Sequence, residues 1–135
     1  MIAPFFHIHG GKCAEAIETY KKAFAAEVHH ISYYRESPEF NPETENGDLI
    51  MHASVTLLNS RTDMCDDDGS NPISGNNLAL SAYYNTPEDL RRGFEALKEG
   101  ATIEEEPGLQ FWSTLYARLI DKYGIMWHLM VKENL

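Results

Sequence analysis

Apolar and polar positions alternate along most of this chain, and the period of the alternation changes from element to element. From Gln110 to Val131 two apolar, aromatic-rich runs flank Asp121-Lys122-Tyr123-Gly124, whose glycine suits the positive φ of a tight reversal, so the segment predicts a β-hairpin. Successive strand side chains point to opposite faces. Ile125, Trp127, Leu129 and Val131 therefore share one face, apolar throughout and suited to packing on a helix, while Met126, His128 and Met130 share the other.

The rest of the chain reads in the same way. Ile2 to His9 is a strand with Phe6 and Ile8 on a clean side and Phe5, His7 and His9 opposite, and it runs into Gly10-Gly11. Cys13, Ala16, Ile17, Tyr20, Ala23 and Phe24 recur at intervals of three and four, the stripe of an amphipathic helix from Lys12 to Ala25. Val28 to Tyr34 returns to strand, and Arg35 to Asp48, acidic and aperiodic, is a loop. Leu49 to Leu58 alternates Met51, Ala53, Val55 and Leu57 against Ile50, His52, Ser54 and Thr56; Arg61 to Asp66 follows after a turn. Asn77 to Tyr84 is the next strand. Thr86-Pro87-Glu88-Asp89 starts a second helix, with threonine as cap and proline in the first position, and Gly100 ends it. Ala101 to Glu105 is predicted as a brief strand and Pro107-Gly108 as a turn before the closing hairpin.

The order is β-α-β-β-β twice. Matching Ile17 to Leu90 requires an offset of 73 residues and matching Phe5 to Asn77 one of 72, which divides the chain into module one (1–66), an acidic linker (67–76) and module two (77–135). Each module is too small to bury its own face, so the two must share a core or pair with another chain. The fold class expected is α+β.

Composition narrows the function. At 135 residues and 43% apolar content the chain suits one domain with a real core. It contains no apolar run near the ~20 residues of a membrane span and no signal-type N-terminus, so a soluble, cytoplasmic protein with no membrane partner is expected. A formal charge of -10 without a basic stripe opposes nucleic-acid binding. Cys13 and Cys65 have neither metal-type nor CxxC spacing and read as reduced thiols. The Asp66 to Asn76 cluster does not match a calcium loop: counted from Gly69, Met64 falls at the first ligand position and Gly75 at the last. Gly10-Gly11-Lys12 lacks the rest of either nucleotide-binding pattern, so a methyltransferase finds no support, and no Gly-x-Ser-x-Gly elbow exists.

Four segments in register, Gly10 to Tyr20, Ile50 to Ala53, Gly75 to Ser81, and Phe111-Trp112 with Asp121 to Trp127, resemble the PhnB-like branch of the vicinal oxygen chelate superfamily, which includes glyoxalase I, bleomycin-resistance proteins and extradiol dioxygenases. The resemblance implies a curved mixed sheet of two βαβββ modules around a cavity, and homodimers. In metal-dependent members four strand positions facing the cavity hold ligands; counted from the landmarks above they fall near Phe5, Met64, Asn77 and His128, of which only His128 is a usual ligand type.

Parity offers a replacement. With Phe6/Ile8, Met51/Ala53/Val55 and Trp127/Leu129 against helices, His7, His9, His52 and His128 share the cavity face, where two or three imidazoles could hold a divalent transition metal that polarises a substrate oxygen. His7 and His128 lead that set, with His52 or His9 third; such an enzyme would be a lyase, isomerase or dioxygenase. The alternative is a metal-free pocket binding a small molecule, of bleomycin-resistance type. Phe5, Met64, Tyr83, Trp112, Met126 and Met130 would supply its apolar contact, and Asn77, Ser81 and the histidines, His9 among them, its polar contact.

Overall fold

In the computed structural model, which describes all residues except 68, 70, 74 and 133–135, the chain forms two β-α-β-β-β modules. Module one comprises β1 (Phe5–Ile8), α1 (Cys13–Phe24), β2 (Glu27–Tyr33), β3 (Ile50–Leu57) and β4 (Ser60–Asp66). Module two repeats the order with β5 (Leu80–Tyr84), α2 (Pro87–Lys98), β6 (Thr102–Gln110), β7 (Ser113–Ile120) and β8 (Met126–Val131). Each builds its own four-stranded mixed sheet, ordered β1-β4-β3-β2 and β5-β8-β7-β6. The first strand of each module runs parallel to the last, and the other neighbours are antiparallel.

Two compact units result, residues 1–21 with 26–72 and residues 22–25 with 73–135, so the last turn of α1 belongs with the second. In the first unit Phe6, Ile8, Ala53, Val55 and Met64 are buried on one sheet face, and Tyr20 of α1 meets Phe6 edge-on at 6.1 Å. In the second, Leu90, Phe94 and Leu97 of α2 are buried with Ala82, Tyr84, Trp127 and Leu129. There the Tyr84 hydroxyl donates to the Ala23 carbonyl at 2.8 Å, and Phe24 lies 4.4 Å from the Trp127 ring. Gly93 permits this approach, because a Cβ there would stand 2.8 Å from the Ala23 oxygen. Each large apolar side chain so buried contributes about 1.5–3 kcal/mol relative to exposure.

The helix stripes, the Thr86 cap and the closing hairpin fall where periodicity and turn chemistry put them: Thr86 Oγ1 accepts from the Asp89 N–H at 3.1 Å, and Gly124 takes φ 89°. Four details differ. Pairing skips Met51 between Ser32–His52 and Tyr33–Ile50, a bulge that buries Ile50 and leaves Met51 half-buried, breaking the expected parity. Pro107-Gly108 is no turn but part of the continuous β6, tolerated because β6 is the sheet edge, where proline's missing N–H is not needed. The turn falls instead at Phe111-Trp112. Finally, β5 begins at Leu80, not Asn77, so Phe5 pairs with Asp63 as Ser81 pairs with His128, an offset of 76 residues. Asp68, Ser70 and Ser74 of the predicted linker lie outside the described residues.

Candidate functional site

The sheet face opposite the buried apolar residues is polar in both modules, and each has its own cluster. In module one, β3 and β4 pair Ala53 with Met64, which sets His52 diagonally from Asp63. His52 Nε2 lies 2.8 Å from Asp63 Oδ1, and Arg61 Nη2 reaches the same oxygen at 2.8 Å. Hydrogen bonds from Arg61 and then His52 hold the Asp63 carboxyl below the ordinary aspartate range. His7, on β1, places Nδ1 3.1 Å from Asp67 Oδ2 and 3.6 Å from Cys65 Sγ. Phe5 lies between the two histidines, with ring centroids 5.1 Å from His7 and 5.8 Å from His52. His9 is half-buried just beyond β1; the Gly69 N–H first, and His7 next, hold the Asp67 carboxyl below the ordinary aspartate range.

This grouping of Cys, His and Asp is not a catalytic triad. Cys65 and Asp67 meet the same imidazole nitrogen, whereas a triad uses both. Burial first, and the carboxylates of Asp67 and Asp66 next, push the Cys65 thiol up to about 11, far from a reactive thiolate. Buried Cys13 goes up to about 12 for the same first reason.

In module two, β7 and β8 pair Ala117 with Leu129, so Tyr116 stands diagonally from His128 as His52 does from Asp63. The Tyr116 oxygen is 2.6 Å from His128 Nδ1. Burial is the largest influence on the Tyr116 phenol and raises its pKa, against the lowering effect of Arg118. Arg118 faces His128 across the two strands, and its Nη2 lies 3.6 Å from Glu104 Oε2. Beside these groups is a groove of about 370 Å³ lined by Asn76, Asn77, Leu78, Ala79, Glu104, Arg118, Met126 and His128.

The groove brings together Asn77, Met126 and His128 among the residues proposed from sequence. Trp112, at the β6–β7 turn, is 48% exposed and meets Tyr116 edge-on at 5.4 Å. Ser81 and Tyr83 are exposed on β5, and Met130 is half-buried on β8. Met64 requires a correction: it is fully buried beside Phe6 and Ala53 on the apolar face and is not among the residues lining the groove, and the residue of β4 equivalent to His128 is Asp63. Sequence reading missed Arg118, Glu104 and Asp63. A usable signal existed for Arg118, the lone charged residue between Leu115 and Ile120 in an otherwise apolar strand.

The superfamily resemblance brings a divalent metal with it, and the residues present do not fit one. Among the described residues, no group of three or more His, Cys, Asp or Glu side chains stands close enough to hold an ion. His7, His52 and His128 each have a hydrogen-bonding neighbour of their own in Asp67, Asp63 and Tyr116. Among the described residues no helix is long and apolar enough to cross a membrane.

No family model matches the chain. Protein YjdN of Escherichia coli K12 is 25% identical over 133 residues, covering 92% of this chain and 90% of that one. A PhnB protein from Bacillus cereus is 25% identical and superposes with a TM-score of 0.81 over 97% of this chain and 98% of its own. The fosfomycin resistance protein FosX from Mesorhizobium loti, 10% identical, shares the fold with a TM-score of 0.64 over 98% of this chain and 92% of its own. With a repeated βαβββ module, and similarity along nearly its whole length to YjdN in sequence and to a PhnB protein in sequence and fold, the chain resembles PhnB-like proteins and shares the glyoxalase-like fold of FosX.

Proposed function

We propose that this protein binds a small organic molecule non-covalently in the groove of its second module. The groove itself carries the reading: about 370 Å³, with apolar contact from Leu78, Ala79 and Met126 and convergent polar groups from Asn77, Glu104, Arg118 and His128. That size and mixture are those of a small-molecule site. A fold shared with a fosfomycin resistance protein agrees with a small-molecule client. The test is a thermal-shift screen over metabolites and antibiotics. A ligand at 100 times its Kd stabilises the native state by about 2.7 kcal/mol, a readily measured rise in Tm, and His128→Ala should abolish it. A screen without stabilising compounds sinks the reading.

The competing reading is a metal-assisted lyase, isomerase or dioxygenase built on His7, His52 and His128. Elemental analysis of the purified protein is expected to show well under one equivalent of any divalent transition metal. A full equivalent that is lost to chelator and regained would replace the proposal. We further propose a homodimer, since a module of four strands and one helix has limited apolar surface of its own to bury; a monomer mass at micromolar concentration would refute it.

A further inference from the structure

We infer that the chemical group this groove selects is a carboxylate, the anionic end of a small organic acid. The inference rests on the groove being the binding site. It starts from the phenol of Tyr116, which is buried and must place its proton on an acceptor. Among the described residues the hydrogen-bonding neighbours of that hydroxyl are His128 Nδ1 at 2.6 Å and the Arg118 side chain; Glu105 and Glu104 act on it through their charge alone. A guanidinium has donors only. The phenol O–H therefore donates to Nδ1, and the proton of the neutral imidazole sits on Nε2. His128 thus offers its groove an N–H donor, not a lone pair, and Tyr116 sets that polarity.

Arg118 adds a second set of donors. Its Nη2 lies 3.6 Å from the Glu104 carboxylate, longer than a hydrogen bond, and its buried Nε has no hydrogen-bond partner among the described residues. The guanidinium also meets the Tyr116 hydroxyl, so the donor left without a protein partner among the described residues is Nε. A planar fork of N–H groups matches the two oxygens of a carboxylate. With one oxygen on Arg118 and His128 Nε2–H at hand for the other, the apolar remainder of the ligand meets Leu78, Ala79 and Met126.

Charge sharpens the class. The chain carries 11 Lys and Arg against 21 Asp and Glu, so a cation within a groove is not a sample of a generally basic surface. Glu104, also in the lining, repels excess negative charge, which favours a singly charged carboxylate over a phosphate carrying ≈ −1.5 to −2.

The experiment is a titration of the full, isotope-labelled chain followed by ¹H–¹⁵N spectra. Its probes are phenylacetate and butyrate, their uncharged amides, and inorganic phosphate. The carboxylates are expected to shift the Met126 to Met130 amides and the Arg118 Nε–H saturably, at least about tenfold more tightly than the matched amides or phosphate. Arg118→Gln should erase the preference for carboxylate over amide. Tyr116→Phe, which keeps the ring and frees Nδ1, should weaken carboxylate binding several-fold; unaltered spectral dispersion elsewhere shows that either variant is folded. Equal affinity for acid and amide, or a preference for phosphate, overturns the carboxylate and leaves the groove. Shifts confined to other residues, or none with any probe, overturn both.

Discussion

The two modules share a scaffold and differ in what their polar faces do with it. Ala53, Met64 and Phe6 in the first sheet, and Ala117, Leu129 and Ala82 in the second, occupy matching register positions, and all six are buried. On the opposite face the matching diagonal pairs are His52–Asp63 and Tyr116–His128. In module one the pair is closed: Asp63 takes up both His52 and Arg61. In module two the cation, Arg118, meets its nearest carboxylate, Glu104, at 3.6 Å, lies against the Tyr116 hydroxyl and stands in a groove wall. The packed side is apolar at every one of these positions in both modules, whereas the polar side differs in residue type and in pairing. A further contrast lies at the helix starts. α2 is capped by its own Thr86, whereas the Cys13 N–H of α1 donates at 2.9 Å to Asp66 Oδ1, from β4 of the same module.

The largest effects should come from the shared scaffold. Met64→Ala and Leu129→Ala, both at fully buried positions, are each expected to cost about 2–5 kcal/mol by urea unfolding. A large cost in one module only would show that the cores are not equivalent. Next come the helix starts. Asp66→Ala strands the Ile50 N–H as well as that of Cys13, and should cost about 3 kcal/mol, since each buried unsatisfied donor costs about 1–3. Thr86→Ala removes one exposed local cap and should cost about 1 kcal/mol. Similar losses would erase the contrast between distant and local capping.

The smallest effect belongs to the polar face of module one and appears in acid. Asp63 has its folded pKa depressed, so the stability it contributes is present above the unfolded value and is lost as pH falls through 3.8 and below. The gap in urea midpoint between the wild type and Asp63→Asn at pH 6 is therefore expected to shrink as the pH is taken below 3.8. If it stays constant, the carboxylate charge is not what holds His52 and Arg61.

Much of the architecture was legible because its causes are local. A stripe at three and four residues makes α1 and α2, a threonine before a proline starts α2, and strict alternation predicts which face of β8 is buried. The site was only half legible. Asn77, Met126 and His128 could be named from parity and resemblance, yet Met64 was assigned to the wrong face, and the offset of 72 missed the true 76, because a strand end is weakly marked in sequence.

By itself, then, the sequence determined the repeated order of elements and the apolar side of each, since periodicity and capping act within a few residues. Tertiary structure alone decided the bulge at Met51, the Asp66 cap 53 residues from Cys13, and the meeting of Arg118, Glu104 and His128. Those depend on which strands pair and in what register, and register is set by contacts between segments far apart in the chain.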